Sequence, residues 1–336
     1  MQIENVWQTI NCDMDDEHHI IVERLQDLVD NKCENVRINL KDFSEKDVIR
    51  VNKLLDALEE VKNEKPGIML DIPFPRRKCR IHMNQDLHVS KNEIIEIHDL
   101  EDKNADIAID MKMFLKSAQL GERYYVGDGE GVLELCELTK NNSAKFRVAH
   151  DFVICCNKAI TVRQLSYQII SDWYVEILRQ WIECHNIESI AFSFVENMED
   201  IHCIDKLNAL IQERHIKLYA KIENTRGVNN VSSILNAFQG CIIARGDLAL
   251  NSSISNFLMS QEAIVNETKK RHKDLFYATD ILDSLAYQNF PNRGELVDYV
   301  TIKSNNPSGI ILKSSAYFKK RFSIVNSFIN LCEERI

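Results

Sequence analysis

The chain has 336 residues, 45% of them hydrophobic, which is enough apolar material for one large domain carrying an insertion. A net charge of −10, with no basic cluster longer than "PRRKCR", excludes duplex nucleic acid as a partner, because a duplex binder needs a positive field. The acidic N-terminus and the lack of an apolar run of about 18 residues exclude a membrane partner and predict a cytoplasmic protein. Ten cysteines sit scattered in apolar runs, as small hydrophobes of a reducing compartment.

In chain order, apolar runs that end in polar residues occur at "VWQTINCD", "NVRINL", "GIMLDI", "SIAFSFV", "LYAKIE", "GCIIARGDL", "DLFYATD" and "SGIILKSS". Segments with helical spacing separate most of them. In "SEKDVIRVNKLLDALEEVKNEK" Ser44 can cap the first turn, and in "NNVSSILNAFQG" Gly240 stands where a helix would stop. Eight strands alternating with helices predict an α/β fold, a (β/α)8 TIM barrel. The interval between the third and fourth runs is too long for one helix. "EIIEIHDLEDKNADIAIDMKMFL", "ERYYVGDGEGVLELCEL" and "SAKFRVAHDFVIC" read as short alternating strands with turns. The predicted organisation is a barrel over 1–80 and 158–336, with a small β-rich domain over 81–157 inserted after strand 3.

In such a barrel the site lies at the C-terminal ends of the strands, so polar residues that close the apolar runs should converge there. Lys221 and Glu223 are two apart and face the same way, and Asp247 ends the next strand. Two carboxylates beside a lysine suit a hard divalent cation such as Mg2+ (or Mn2+), with substrate oxygens completing its shell. Lys221 and Glu223 also suit a plain structural ion pair. Arg37, Asn39, Asp71, Ser193 and Thr279 close other strands, and convergence of that many polar ends favours a site over packing.

These residues resemble the pyruvate kinase family. "KIENTRGVNN" followed by "ARGDL" is similar to its strand-five and strand-six signature, and "IAFSFVENMEDI" to its strand-four serine-phenylalanine segment. "VRINL" resembles its strand-two arginine and asparagine, "YATDILDSL…PNRGELVDYV" its strand-seven threonine and the segment after it, and "YYVGDGEGVLEL" the hairpin of its lid domain. The resemblance runs in register from about residue 35 to the end. It implies that Glu223 and Asp247 hold the divalent cation, Lys221 neutralises the phosphoryl group in transfer and Arg37 grips a phosphate. It also implies that amides around Gly246 and Asp247 receive the substrate carboxylate, and that Thr279 sits near the carbon protonated when enolate becomes ketone.

Other positions depart from the family. Its strand-three Asp-Thr-Lys-Gly-Pro-Glu reads "DIPFPRR", keeping Asp71 and Pro75 but placing Ile72, Pro73 and Arg76 where threonine, lysine and glutamate stand. Lys41 and Asp42 replace a serine and a histidine. Ile72 offers no oxygen, and Lys41 or Arg76 brings fixed positive charge, so potassium is not expected as a cofactor. The first lid aspartate is Gly127, leaving Asp128, and the eighth strand ends "LKSSAY" instead of Leu-Ser-Gly-Glu-Thr. No segment matches the family's C-terminal regulatory domain, so sugar-phosphate control there is not expected. Three functions remain open: an enzyme transferring a phosphoryl group from a phosphoenolpyruvate-type substrate, with ADP or ATP as a candidate nucleotide partner, as a specialised paralogue; a metal-dependent C–C lyase or decarboxylase acting on a keto acid; and a non-catalytic binding protein. The small-molecule partner is a phosphorylated compound or keto acid, and a homo-oligomer is possible.

Overall fold

The computed structural model describes residues 5–40, 43–139, 142–252 and 254–334. Lys41 and Asp42, on which part of the potassium expectation rests, lie outside the described residues. The chain divides into two compact units, one of Met1–Pro75, Ile169–Leu248 and Ser255–Ile336, the other of Arg76–Gln168 with Ala249–Ile254.

The first unit is the closed parallel barrel expected from the eight runs. Its strands are β1 (Asn5–Ile10), β2 (Asn35–Asn39), β3 (Gly67–Pro75), β4 (Ile187–Ser193), β5 (Lys217–Ile222), β6 (Gly240–Ala244), β7 (Asp274–Ala278) and β8 (Gly309–Leu312). Each pairs in parallel with its sequence neighbour, and β1 closes on β8 with Trp7 opposite Ile311. Alternation along the strands sorts the side chains into two separate apolar clusters. Trp7, Met69, Ala191, Tyr219, Ile242 and Phe276 fill the lumen. Ile38, Leu70, Ile72 and Phe192 belong to the larger cluster shared with the helices.

Two local expectations fare differently. Ser44 does cap the helix Glu45–Glu60, its side chain accepting from the Asp47 N–H at 3.3 Å. Gly240 does not end a helix. That helix, Val231–Ala237, gives way at Phe238, and Gly240 opens β6. A side chain there would strike the Asp274 carbonyl of the neighbouring strand, with a Cβ only 2.2 Å from its oxygen, so the glycine serves a close strand contact.

The second unit is built on a mainly antiparallel sheet, with one parallel pair between Ile94–Asp99 and Ile107–Ile109. Its strands Arg123–Val126 and Gly131–Leu138 form the expected hairpin, joined through Gly127 at φ 65° and Gly129 at φ 100°. A positive φ suits glycine, so a side chain at position 127 would be strained in this turn. Phe146 packs edge to face against Phe114 and Tyr124, which are tilted to each other, as its aromatic core. The observed unit is wider than 81–157. Cys79–Arg80 pairs with Ala159–Ile160 in the second sheet, and Arg76 makes an isolated bridge to Tyr167, so these flanking residues belong to the second unit. No helix among the described residues is long and apolar enough to cross a membrane.

Candidate active site at the barrel mouth

Above the apolar lumen, the next inward positions of the strands are polar. Asp71 follows Met69 on β3, Ser193 follows Ala191 on β4, Lys221 follows Tyr219 on β5, and each pair is two residues apart. These side chains meet. Lys221 Nζ lies 3.2 Å from Asp71 Oδ1, 3.2 Å from Glu223 Oε1 and 3.2 Å from Ser193 Oγ. Arg37 donates to Asp71 Oδ2 through Nε at 2.8 Å and Nη2 at 2.5 Å, and through Nη1 to Thr9 Oγ1 at 2.9 Å. Glu223 Oε2 accepts the Phe194 N–H at 2.5 Å.

The network is almost closed to water: the side chains of Asp71 and Glu223 are 1% and 0% exposed and that of Lys221 is 11% exposed. Burial alone would push the Asp71 carboxyl up, but the charges of Lys221 and Arg37 prevail and hold it below the usual carboxylate range. Burial likewise works against the Lys221 ammonium. Asp71, Glu223 and more weakly Asp247 outweigh it and raise the pKa, so the lysine stays charged. The mouth thus holds two cations against buried carboxylates, and Asp71 and Lys221 help to hold each other in the ionic form.

The other side of the mouth is made largely of backbone. Asp247 does not close β6, which stops at Ala244. It lies in the first turn of the short helix Arg245–Asn251. Thr279 follows β7 with φ 77°, and Asp280 after it has φ 54°. Left-handed conformations at such residues cost on the order of 1–3 kcal/mol and persist only where the surroundings impose them. Gly246 makes room for Thr279, since a Cβ at that position would stand 2.8 Å from Thr279 Cγ2.

Ile72 requires a correction. Its side chain is fully buried in the outer cluster, on the opposite face of β3 from Asp71. Its lack of an oxygen therefore says nothing about an ion at the mouth. Arg76 falls in the second unit, with its guanidinium carbon 5.7 Å from the centre of the Tyr167 ring. Asn39 lies at the end of β2, where its carbonyl accepts from Arg50 at 2.7 Å.

Two participants, Thr9 and the Phe194 N–H, are not among the residues singled out from the sequence, and Arg245 stands out there only as a charge that ends an apolar run, without its partners. Thr9 was detectable, since it stands two residues beyond the lumen residue Trp7 in a run already read as a strand. The Phe194 N–H and the carbonyl partners of Arg245 were not, because backbone groups leave no periodic trace.

A family model described as the pyruvate kinase barrel domain matches residues 9–305. The chain belongs to the pyruvate kinase family. Among its relatives, a pyruvate kinase of Aeropyrum pernix is 26% identical over 253 residues, covering 74% of this chain and 54% of that protein. One from Thermoplasma acidophilum is 23% identical over 302 residues, or 89% of this chain and 52% of the relative. The Schizosaccharomyces pombe pyruvate kinase is 30% identical over 193 residues, 56% of this chain and 37% of its own. The chain spans about half the length of the archaeal relatives it matches.

Glu223 and Asp247 offer the donors a hard divalent cation takes, carboxylate oxygens few in number, with water and substrate oxygens left to complete the shell. No group of three or more histidine, cysteine, aspartate or glutamate side chains suited to a metal occurs among the described residues. A cation held here would take the rest of its coordination from water, substrate or other protein oxygens.

Proposed function

We propose that this chain is a Mg2+-dependent phosphotransferase of the pyruvate kinase type, acting on phosphoenolpyruvate or a pyruvate-like substrate through an enolate. The observation that carries this reading is the buried Lys221 ammonium, kept charged by two carboxylates at the end of β5. Phosphoryl transfer asks little covalent chemistry of a protein and much positioning and charge neutralisation. As the bond between phosphorus and the enol oxygen breaks, the phosphoryl group passes to an acceptor and the electron pair stays on the enolate, whose methylene carbon then takes a proton.

In this reading Lys221 neutralises the phosphoryl oxygens and Arg37, fixed by Asp71 and Thr9, receives a phosphate oxygen. Ser193, Asn39 and the amides at Gly246 and Asp247 orient the substrate, and Thr279 lies beside the carbon to be protonated. Glu223 and Asp247 would hold the divalent cation, which supplies charge stabilisation at the enolate oxygen when bound. Arg76 and ADP or ATP belong to the same proposal, as does activity without potassium. The changes in "DIPFPRR" and "LKSSAY" support a specialised paralogue over a general glycolytic enzyme.

The test is a thermal-shift screen of phosphoenolpyruvate, pyruvate, ADP and ATP with and without Mg2+, followed by an assay for pyruvate release. Ligands that bind only the native state raise its melting temperature by mass action. Mg2+-dependent stabilisation by phosphoenolpyruvate, with transfer to a nucleotide that is insensitive to potassium, is expected. Stabilisation by pyruvate without any transfer would favour C–C bond chemistry. No stabilisation by any of the four would favour a non-catalytic protein.

A further inference from the structure

The proposed function leaves Arg245 and Asp298 without a part, although both adjoin the Thr279 turn. The Arg245 side chain is largely covered, 11% exposed, and reaches three consecutive carbonyls: Nε bonds Ala278 O at 3.4 Å, and Nη2 bonds Thr279 O at 2.6 Å and Asp280 O at 3.4 Å. Its Nη1 donates to Asp298 Oδ1, from the helix Arg293–Ser304. One guanidinium thus ties the ends of β6 and β7 to a helix packed outside them.

We infer that Arg245, anchored by Asp298, is a positioning residue that holds Thr279 in its left-handed conformation at the barrel mouth. The inference rests on the reading of Thr279 as the group beside the protonated carbon. A threonine at φ 77° followed by an aspartate at φ 54° does not keep that conformation by itself. Branching at Cβ makes it unfavourable, so the surroundings must over-determine it. Arg245 does so from the carbonyl side. Gly246 contributes by leaving space for Thr279 Cγ2, and Lys313 pairs with the Asp280 carboxylate. Because φ sets the direction of the Cα–Cβ bond, a turn that relaxes to ordinary φ swings the Thr279 hydroxyl away from Gly246. The groups proposed to bind phosphate and metal lie on β2, β3 and β5 and after β6, and Asp298 contacts none of those side chains in the bonds described above. Loss of the clamp should therefore affect turnover more than substrate binding.

The test uses Asp298→Ala and Asp298→Asn in the full chain. Asp298→Ala should lower kcat with phosphoenolpyruvate by on the order of 10²-fold, the effect of a small misplacement, while KM stays within about twofold. Backbone hydrogen exchange over 275–283 should become faster. Asp298→Asn keeps the Oδ1 acceptor, should fold if the alanine variant does not, and should recover most of kcat and of the protection. Unchanged exchange in Asp298→Ala overturns the clamp whatever the activity. Faster exchange with unchanged kcat overturns the positioning role and leaves a structural staple. If the wild type transfers no phosphoryl group, it is the proposed function that fails, and the exchange measurement alone decides for or against the clamp.

Discussion

At the end of β5, Lys221 is nearly buried and stands 3.2 Å from each of two carboxylates, whereas at the start of the same strand Lys217 is 62% exposed and lies 4.0 Å from Asp274. Both lysines flank an apolar strand, and both have a carboxylate from a different strand beside them. At the base, Asp274 is satisfied by neutral groups, accepting from Tyr219 Oη at 2.9 Å and Ser308 Oγ at 3.3 Å, and Lys217 adds a solvent-screened charge. At the mouth the charges are the network. Exposed pairs contribute roughly 0–1 kcal/mol, while taking one partner from a buried pair costs about 3–5 kcal/mol because a charge is left stranded. The comparison teaches that a barrel can end its strands in charge for little energetic consequence, and that enclosure turns such an end into a candidate site.

The comparison is broken most severely at the two carboxylates proposed to hold the metal. Glu223→Gln and Asp247→Asn should each abolish Mg2+-dependent binding of phosphoenolpyruvate or pyruvate, since a hard cation loses a charged ligand. Calorimetry checks this, and metal-dependent binding unchanged in both variants would show that the cation sits elsewhere.

Next comes Lys221→Met, expected to lower turnover by roughly 10² to 10³ while Mg2+ still binds. The variant should also lose about 3–5 kcal/mol of stability, so its rates belong at a temperature where circular dichroism shows it folded. Retention of most turnover would argue against phosphoryl transfer.

Gly246→Ala places a methyl against Thr279 Cγ2 and should reduce kcat by about tenfold or more. Adding Thr279→Ser removes the opposing methyl, keeps the hydroxyl and should restore part of the loss. A double variant no better than Gly246→Ala would mean that the two residues do not press on each other.

A gentler probe is pH. The folded pKa of Asp71 is lowered, so its stabilisation is complete above the ordinary carboxylate value of about 3.9 and is lost as pH falls through the folded value. Lys221 is raised, so its share persists below about 10.4 and is lost as pH climbs through its folded value. In urea unfolding, the gap between wild type and Asp71→Asn should be flat from about pH 5 to 9 and narrow in stronger acid. A gap that stays fixed down to about pH 2 would mean that Asp71 does not act as an ion.

The smallest effect belongs to the base. Lys217→Ala should shift unfolding free energy by less than about 0.5 kcal/mol, as exposed pairs do. A loss of several kcal/mol would erase the contrast between the two ends.

The sequence by itself determined the barrel and most of its mouth. Inward and outward positions alternate with period two, so the apolar runs announce the strands, and Lys221, Glu223, Asp71 and Arg37 announce themselves as charges where burial forbids unpaired ones. The same rule exposes Ile72, since a residue next to the inward-facing Asp71 must face the helices. What depends on contacts across the sequence was decided only by the tertiary structure. Gly240 looks like a helix stop until Asp274 is seen against it, and Asp247 looks like a strand end until its helix is seen to begin at Arg245. Arg245 reads as one more charge in "ARGDL", yet its partners are three carbonyls of the next strand's end and an aspartate 53 residues away. Backbone acceptors are present at every residue, so no pattern of side chains can say which of them an arginine will take.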